Sequence, residues 1–351
     1  MLNKLCIILP TEAKLEEAEK IGLLSRWKFY FSELKKHFDL VVFSCDKKNF
    51  SKILDVKHIS LPISFRMFPY GDQIFYNFWL VLNFSKMSKI VRVISVSYFT
   101  LPILKLFGKK VILSYHYDYQ TKTQKDFGGV KGLTAGLREY LSIKSASKII
   151  VTTKELQQKV KNVYKRDSLL IPNFVDTSKF KPLEKENYIL YAGRIYWHKG
   201  IDYLLESFAE VEKIFNVKLK LAGIGDIDFY SSKIKKLGIR NVEFLGPVDN
   251  SKMPDLMGKA KIFVLPTVTR EGHPKALIEA MACGCVCIAT DVPGNRELIH
   301  NEESGLLIKP KDSGSIRDGI IRILRDENLQ KKLAEKARKT VEKFSVENTL
   351  Y

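Results

Sequence analysis

The segment Glu271-Gly-His-Pro-Lys-Ala-Leu-Ile-Glu279 carries two carboxylates with seven residues between them, an E-x7-E spacing. It follows the apolar run Ile262–Leu265, which reads as a strand. Pro274 fits the first position of a helix, and Gly284 fits its end. A helix that starts directly after a parallel strand offers unpaired N–H groups and the positive end of its dipole, a ready phosphate site. Glu279 stands among Ala276, Leu277, Ile278, Ala280, Met281 and Ala282. Burying a carboxylate in so apolar a helix is costly without a partner. Hydroxyls of a sugar or ribose would meet that cost; a place on the solvent edge, or capping a neighbouring loop, would avoid it. A second group is Tyr191-Ala-Gly-Arg194-Ile-Tyr-Trp-His-Lys199-Gly200, where a strand ends in glycine and two cations precede a helix. Arginine grips phosphate oxygens through a planar fork and lysine acts as a point charge, so the pair suits a diphosphate. Read alone, the two also fit solvated surface cations, which are common in so basic a chain.

Short β-branched runs, each followed by a helical pattern, are the elements that must hold these groups. In the first half they are Leu5–Leu9, Leu40–Phe43, Ile90–Ile94, Val111–Leu113 and Ile149–Thr152. In the second they are Tyr188–Tyr191, Val217–Leu221, Val242–Leu245, Ile262–Leu265, Cys285–Ala289 and Gly305–Ile308. Continuously apolar strands alternating with helices imply parallel sheets covered on both faces. After Lys199 the residues Ile201, Leu204, Leu205, Phe208 and Val211 share one helical face. Prolines and charges interrupt all periodicity across Ile171–Glu186. The sequence therefore predicts an α/β protein of two doubly wound domains, 1–173 and 187–351, joined by a linker at 174–186. A ligand is expected in the cleft where the carboxyl ends of both sheets meet.

The 351 residues are enough for two domains, and 45% apolar with 28% charged residues is a globular balance. Charge is unevenly shared. Residues 1–173 hold 29 basic and 14 acidic side chains, a net of +15, and the remainder hold 29 and 25, a net of +4. An anionic partner for the first half is implied. Cys283, Cys285 and Cys287 lack the C-x2-4-C pairs and the second half of a zinc site, and read as small buried thiols of a reduced cytosol. Leu5–Leu9 is too short for the core of a signal peptide. The longest uncharged stretches, Gln73–Ser85 and Val93–Leu104, fall short of the roughly 18 residues of a spanning helix. A cytoplasmic protein, peripheral on the inner face of the cell membrane if it docks there, is expected.

Arg194 and Lys199, the turn Ala222-Gly-Ile-Gly-Asp226, Phe244-Leu-Gly-Pro-Val248, the pair Glu271/Glu279 and Ala282-Cys-Gly…Ala-Thr-Asp-Val-Pro-Gly-Asn-Arg-Glu297 occur in order across 186–310. Together they resemble the donor domain of the family 4 retaining glycosyltransferases, enzymes of the GT-B fold with two facing Rossmann-like domains. The resemblance implies that Arg194 and Lys199 neutralise the diphosphate of a nucleotide-sugar and that Glu279 bonds the ribose. It implies that Glu271, with the backbone through Gly272, His273, Pro274, Lys275 and Ala276, holds the sugar and the distal phosphate. Gly223 and Val248 would line the nucleobase pocket. His116, in Ser114-Tyr-His116-Tyr-Asp118, stands where the family places a histidine on the donor sugar, although a histidine after a strand is more often structural. His116, Glu271, Arg194 and Lys199 form the implied catalytic set. No metal and no cofactor is implied; a UDP- or GDP-sugar is the expected co-substrate, and a glycan or lipid-linked molecule the expected acceptor. Relatives begin a last helix, crossing back to the first domain, about where this chain reaches Tyr351.

The first half departs from the family pattern. Its first strand leads into Leu9-Pro-Thr-Glu-Ala-Lys rather than a glycine-rich loop, and Phe127-Gly-Gly-Val130 is the other place where backbone could approach a ligand closely. Phe65, Phe68, Tyr70, Phe75, Tyr76, Phe78, Trp79 and Phe84 cluster near Arg66, Lys86, Lys89 and Arg92. Such a cluster suits an interfacial segment on an anionic membrane, and somewhat better a core helix with aromatics on the sheet. Three rivals remain. A nucleotide-sugar epimerase shares the fold, but the E-x7-E helix and the Arg/Lys pair favour a transferase. Nucleic acid is not an expected partner, since no zinc knuckle, helix-turn-helix or RRM-like motif accompanies the charge. A dehydrogenase fails because Gly223-Ile-Gly225 continues Asp-Ile-Asp228, leaving G-x-G-x-x-G incomplete.

Overall fold

The computed structural model describes residues 2–9, 15–20, 24–61, 71–94, 100–116, 118 and 129–350. The chain divides into two compact units, Met1–Ile171 and Pro172–Tyr351. In the first, β1 (Asn3–Ile8), β2 (Phe38–Ser44), β3 (Lys57–Ser60), β4 (Ile90–Ile94), β5 (Lys110–Tyr115), β6 (Lys148–Val151) and β7 (Leu169–Leu170) form a parallel sheet ordered β3-β2-β1-β4-β5-β6-β7. In the second, β8 (Glu186–Ala192), β9 (Lys218–Ala222), β10 (Val242–Gly246), β11 (Ala260–Leu265), β12 (Val286–Thr290) and β13 (Leu306–Ile308) are also parallel, ordered β10-β9-β8-β11-β12-β13. Each order reverses direction beside its first strand, the Rossmann-like arrangement. Each of the eleven apolar runs of the sequence overlaps a strand, five of them extending one residue beyond it.

Alternation explains why both sheets are covered on two faces. In β1, Leu5 and Ile7 enter a core with Phe31, Leu40 and Val42, while Cys6 and Ile8 enter another with Val41, Phe43, Val91 and Val93. In β8, Tyr188 and Leu190 face one core, and Ile189 and Tyr191 the other. The helix Ile201–Val211 closes that second face, with Leu204, Leu205 and Phe208 fully buried. Burying one such side chain stabilises by about 1.5–3 kcal/mol. Cys283, Cys285 and Cys287 are all buried on a single core, and desolvation holds the Cys285 thiol up at about 11.

Two strands had no clear signal. β3 and β7 are the edges of the first sheet, short and less buried, and β3 mixes Lys57, His58 and Ser60 with one isoleucine. The proline-interrupted stretch read as a linker packs on the second unit. Val175 N–H donates to Phe344 O at 2.9 Å, Phe180 is buried, and Leu183 N–H donates to Gly258 O at 3.2 Å. Its scattered apolar residues follow no period because they fill separate gaps in that surface. Among the described residues no helix is long and apolar enough to cross a membrane.

Candidate functional site

The strand order of the second sheet reverses between β8 and β11, and the loops leaving their carboxyl ends are locked together. Val268 N–H donates to His198 O at 3.1 Å. Gly200 has φ +75°, and a Cβ there would lie 1.9 Å from Pro266 O, so only glycine allows the approach. On the other side Ile195 N–H reaches Ile224 O at 2.8 Å and Gly223 N–H reaches Gly246 O at 2.8 Å. Gly223 therefore sits beside the Arg194 turn, and Val248 packs on the core just beyond β10. Arg194 is exposed. Its carbonyl accepts the buried Tyr191 hydroxyl at 2.6 Å, whose pKa burial pushes up, so the turn is pinned while its guanidinium stays open to solvent.

Lys199 is not open. Its Nζ pairs with Glu271 Oε1, the side chains being 18% and 14% exposed. The same Oε1 accepts the Thr267 hydroxyl at 2.7 Å. Thr267 O in turn accepts Thr290 Oγ1 at 2.7 Å, and Thr290 O accepts Asn295 Nδ2 at 2.8 Å. A chain of polar groups thus runs from Lys199 over the ends of β11 and β12. Gly294 presses on it from behind, since a Cβ there would lie 1.7 Å from Gly272 O.

The helix of the E-x7-E segment spans Lys275–Ala282. Pro274 is not its first residue, as the sequence suggested, but its cap. With ψ 111° it is extended, and its carbonyl accepts Leu277 N–H and Ile278 N–H at 3.2 and 3.3 Å. The helix closes at Gly284, φ +63°, where Cys285 N–H reaches Ala280 O at 3.0 Å. Glu279 is 5% exposed, so it lies on the buried side rather than on a solvent edge. Lys275 and Ala276 are half-buried in the first turn, the Lys275 ammonium 5.6 Å from the Phe174 ring.

The His273 side chain faces inward. Its Nδ1 accepts Asn173 N–H at 3.2 Å, its carbonyl accepts Asn173 Nδ2 at 2.5 Å, and its ring meets Phe344 edge-on at 4.9 Å. Burial, with Lys343 adding, lowers its pKa to about 4, which keeps Nδ1 an acceptor. Its side chain anchors the loop, and only its backbone is left for a ligand. Sequence reasoning missed Asn173, Thr267, Thr290 and Asn295. For the two threonines the usable signal was a hydroxyl residue within two positions of the end of an apolar run, Thr267 after Leu265 and Thr290 after Ala289.

In the first unit His116 directly follows β5, half-buried, its carbonyl accepting Thr152 Oγ1 at 3.2 Å. Asp118 neither stands free nor faces outward: its Oδ1 pairs with Lys159 Nζ at 2.7 Å. The loop after β1 at 10–14, and Phe127 with its following glycine's environment, lie outside the described residues, as do Phe65, Arg66, Phe68 and Tyr70. In the helix Gly71–Leu82 the described aromatics split. Tyr76 is buried and stacks on Trp79 at 5.7 Å, while Phe78 is 62% exposed. Arg92 is no part of a rim, since its Nε donates to Ser114 Oγ at 2.9 Å.

Residues 175–340 match the family described as glycosyl transferases group 1. An uncharacterised glycosyltransferase of Methanocaldococcus jannaschii is 30% identical over 232 residues, covering 60% of this chain and 59% of the relative. The GalNAc-alpha-(1->4)-GalNAc-alpha-(1->3)-diNAcBac-PP-undecaprenol alpha-1,4-N-acetyl-D-galactosaminyltransferase of Campylobacter jejuni is 33% identical, covering 52% of each chain. The chain thus spans between half and three-fifths of these relatives' length. Among solved structures, Anabaena HepE in complex with UDP and glucose superposes with a TM-score of 0.77 at 18% identity, over 99% of this chain and 97% of the other. The fold is that of the GT-B glycosyltransferases, two Rossmann-like α/β units. Residues 175–340, a little under half of the chain, are thus similar to the group 1 glycosyl transferases.

Proposed function

We propose that the chain is a retaining hexosyltransferase that moves a sugar from a nucleotide-sugar to a glycan, lipid-linked or membrane-proximal acceptor, using no metal and no resident cofactor. The observation that carries the reading is the Lys199–Glu271 pair, which joins the loops after β8 and β11 at the switch point, with exposed Arg194 in the first loop and the helix Lys275–Ala282, bearing buried Glu279, after the second. Arg194 and Lys199 take the charge that develops on the leaving diphosphate, and the helix start takes the distal phosphate. Glu279 bonds the ribose, Gly223 and Val248 flank the base, and Glu271 with the Gly272–Ala276 backbone holds the sugar. His116 supplies the first unit's contact to that sugar. The acceptor hydroxyl attacks the face the diphosphate leaves: its oxygen bonds the anomeric carbon, the carbon–phosphate-oxygen bond breaks, and the diphosphate oxygen takes the proton. No protein carboxylate is needed as a covalent nucleophile.

UDP bound to the Anabaena relative supports a UDP-sugar, with a GDP-sugar next. The undecaprenol-linked substrate in the Campylobacter relative's name supports a lipid-linked acceptor. The first unit's net charge of +15, and its exposed Phe78, Leu82, Leu106 and Phe107, support work at the anionic cytoplasmic face of a membrane. Thermal-shift measurements against UDP-, GDP- and ADP-sugars test the donor site. At a hundredfold excess over Kd the donor adds about 2.7 kcal/mol of stability, so the melting temperature rises. Glu279→Ala and Arg194→Ala remove the rise. A folded wild type stabilised by none of these donors overturns the reading.

A further inference from the structure

Glu271 is held on one oxygen only. Oε1 receives Lys199 Nζ and Thr267 Oγ1, while Oε2 has no hydrogen-bond partner among the described residues. The two donors to Oε1 differ in what happens when a ligand arrives. Lys199 is a cation that a diphosphate draws toward itself. Thr267 is fully buried and cannot follow: its carbonyl is held by Thr290, whose own carbonyl is held by Asn295, also buried. Its hydroxyl proton therefore stays on Glu271 whichever way Lys199 turns.

We infer that Thr267 is a positioning residue that fixes the Glu271 carboxylate so that Oε2 is presented to a hydroxyl of the donor sugar. This rests on the donor-site reading above, and it adds a residue that the sequence motifs do not mark. The Gly294 backbone, packed on Gly272 O, sets the height of the same loop from the other side. Thr267 thus contributes to recognition of the sugar and not of the nucleotide. Valine at 267 keeps the volume and the carbonyl that Thr290 needs, and removes only the hydroxyl. Serine keeps the hydroxyl.

Calorimetric titration with UDP and GDP, and with UDP-glucose, UDP-N-acetylglucosamine and GDP-mannose, provides the test. For whichever sugar-nucleotide the wild type binds, Thr267→Val weakens affinity by about tenfold, as loss of a hydrogen bond to a charged group predicts. The parent nucleotide binds Thr267→Val within about twofold of wild type, and Thr267→Ser restores sugar-nucleotide binding. In a Glu271→Ala background the valine causes no further loss, which separates positioning from a general fold defect. Equal weakening of nucleotide and sugar-nucleotide, or no weakening of either, overturns the role of Thr267 and leaves the donor site standing. A folded wild type that binds none of the five overturns the donor site and this role with it.

Discussion

Two lysine–carboxylate clusters lie at the carboxyl ends of strands, one in each unit, and they are built to different ends. In the first unit Lys159 Nζ bridges Asp118 and Glu139, and Tyr164 OH donates to Glu139 at 2.5 Å. Glu139 is fully buried, and burial together with Glu139 and Asp118 pushes the Tyr115 and Tyr164 pKa values far up. Every group there answers another, so the cluster fixes three pieces of backbone: the segment after β5 and the helices Gly129–Ser145 and Lys154–Tyr164. In the second unit Lys199 and Glu271 pair with 18% and 14% of their side chains exposed, Glu271 Oε2 has no hydrogen-bond partner among the described residues, and Arg194, five residues before Lys199, is exposed. The first cluster is closed on itself; the second leaves one carboxylate oxygen without a partner among the described residues, which the proposed function assigns to the donor. Pairing alone does not mark a site. What marks it is charge-bearing valence left unspent beside a pair.

Removing the lysine from each cluster separates the two kinds. Lys159→Met leaves two buried carboxylates without their shared cation and is expected to cost about 3–5 kcal/mol of folding stability. Urea denaturation followed by far-UV circular dichroism measures it. A loss under about 1 kcal/mol would show the cluster to be hydrated and break the contrast. Lys199→Met leaves Glu271, 14% exposed against fully buried Glu139, still bonded by the Thr267 hydroxyl, so the expected loss is smaller, about 1–3 kcal/mol. Sugar transfer instead falls by about 10²–10³ in kcat, the usual effect of removing one group aimed at developing charge. Equal stability losses in the two variants would erase the distinction.

How much of this was legible follows from which groups repeat a local pattern. The strands of both sheet centres were readable because Leu5–Leu9, Tyr188–Tyr191 and Ile262–Leu265 are apolar on both faces. Edge strands β3 and β7 were not, since an edge buries less and tolerates polar residues. Arg194, Lys199 and Glu271 were legible from spacing next to strand ends. Their partners were not: Thr267, Thr290 and Asn295 are joined across β11 and β12, and no local spacing encodes a hydrogen bond 23 residues away in sequence. Asp118 shows the same limit, because the lysine that claims it is 41 residues further on.

Two buried histidines carry the comparison into pH. His273 in the second unit has its pKa lowered to about 4 by burial and Lys343. The unfolded chain therefore binds the extra proton between roughly pH 6.5 and 4, so stability is full above that window and falls as pH drops through it. The loss reaches up to about 3 kcal/mol. His58 in the first unit is lowered too, by burial, but Asp46 pulls it back up. Its Nδ1 accepts Phe50 N–H at 2.9 Å, and its Nε2 lies 2.7 Å from Ser44 Oγ. The same direction with a smaller loss is expected. Stability curves of His273→Gln and His58→Gln against pH measure both; the His273 variant should flatten the wild-type decline more. A decline unchanged in His273→Gln would mean that the ring titrates normally.

The smallest expected change in folding accompanies a change in location. The first unit holds +15 of the chain's charge and the exposed pairs Phe78/Leu82 and Leu106/Phe107, Leu106 being 85% exposed. Phe78 and Leu82 are one helical turn apart on a single face, and the helices Gly71–Leu82 and Thr100–Leu106 share a small apolar cavity lined by Leu80, Val81, Ile103 and Leu104. Lys86, Lys89 and Lys105 are exposed around them. The second unit, at +4, has no such excess. Leu82→Ser with Leu106→Ser changes side chains that are 66% and 85% exposed, so stability stays within about 0.5 kcal/mol. Flotation with anionic vesicles should nonetheless drop by about tenfold, as the lost apolar insertion predicts. Wild-type binding weakens as salt rises through the range where the screening length shrinks below about 10 Å. Binding that survives both the serines and high salt would move the contact to the second unit, and the basic half would then need another anionic partner.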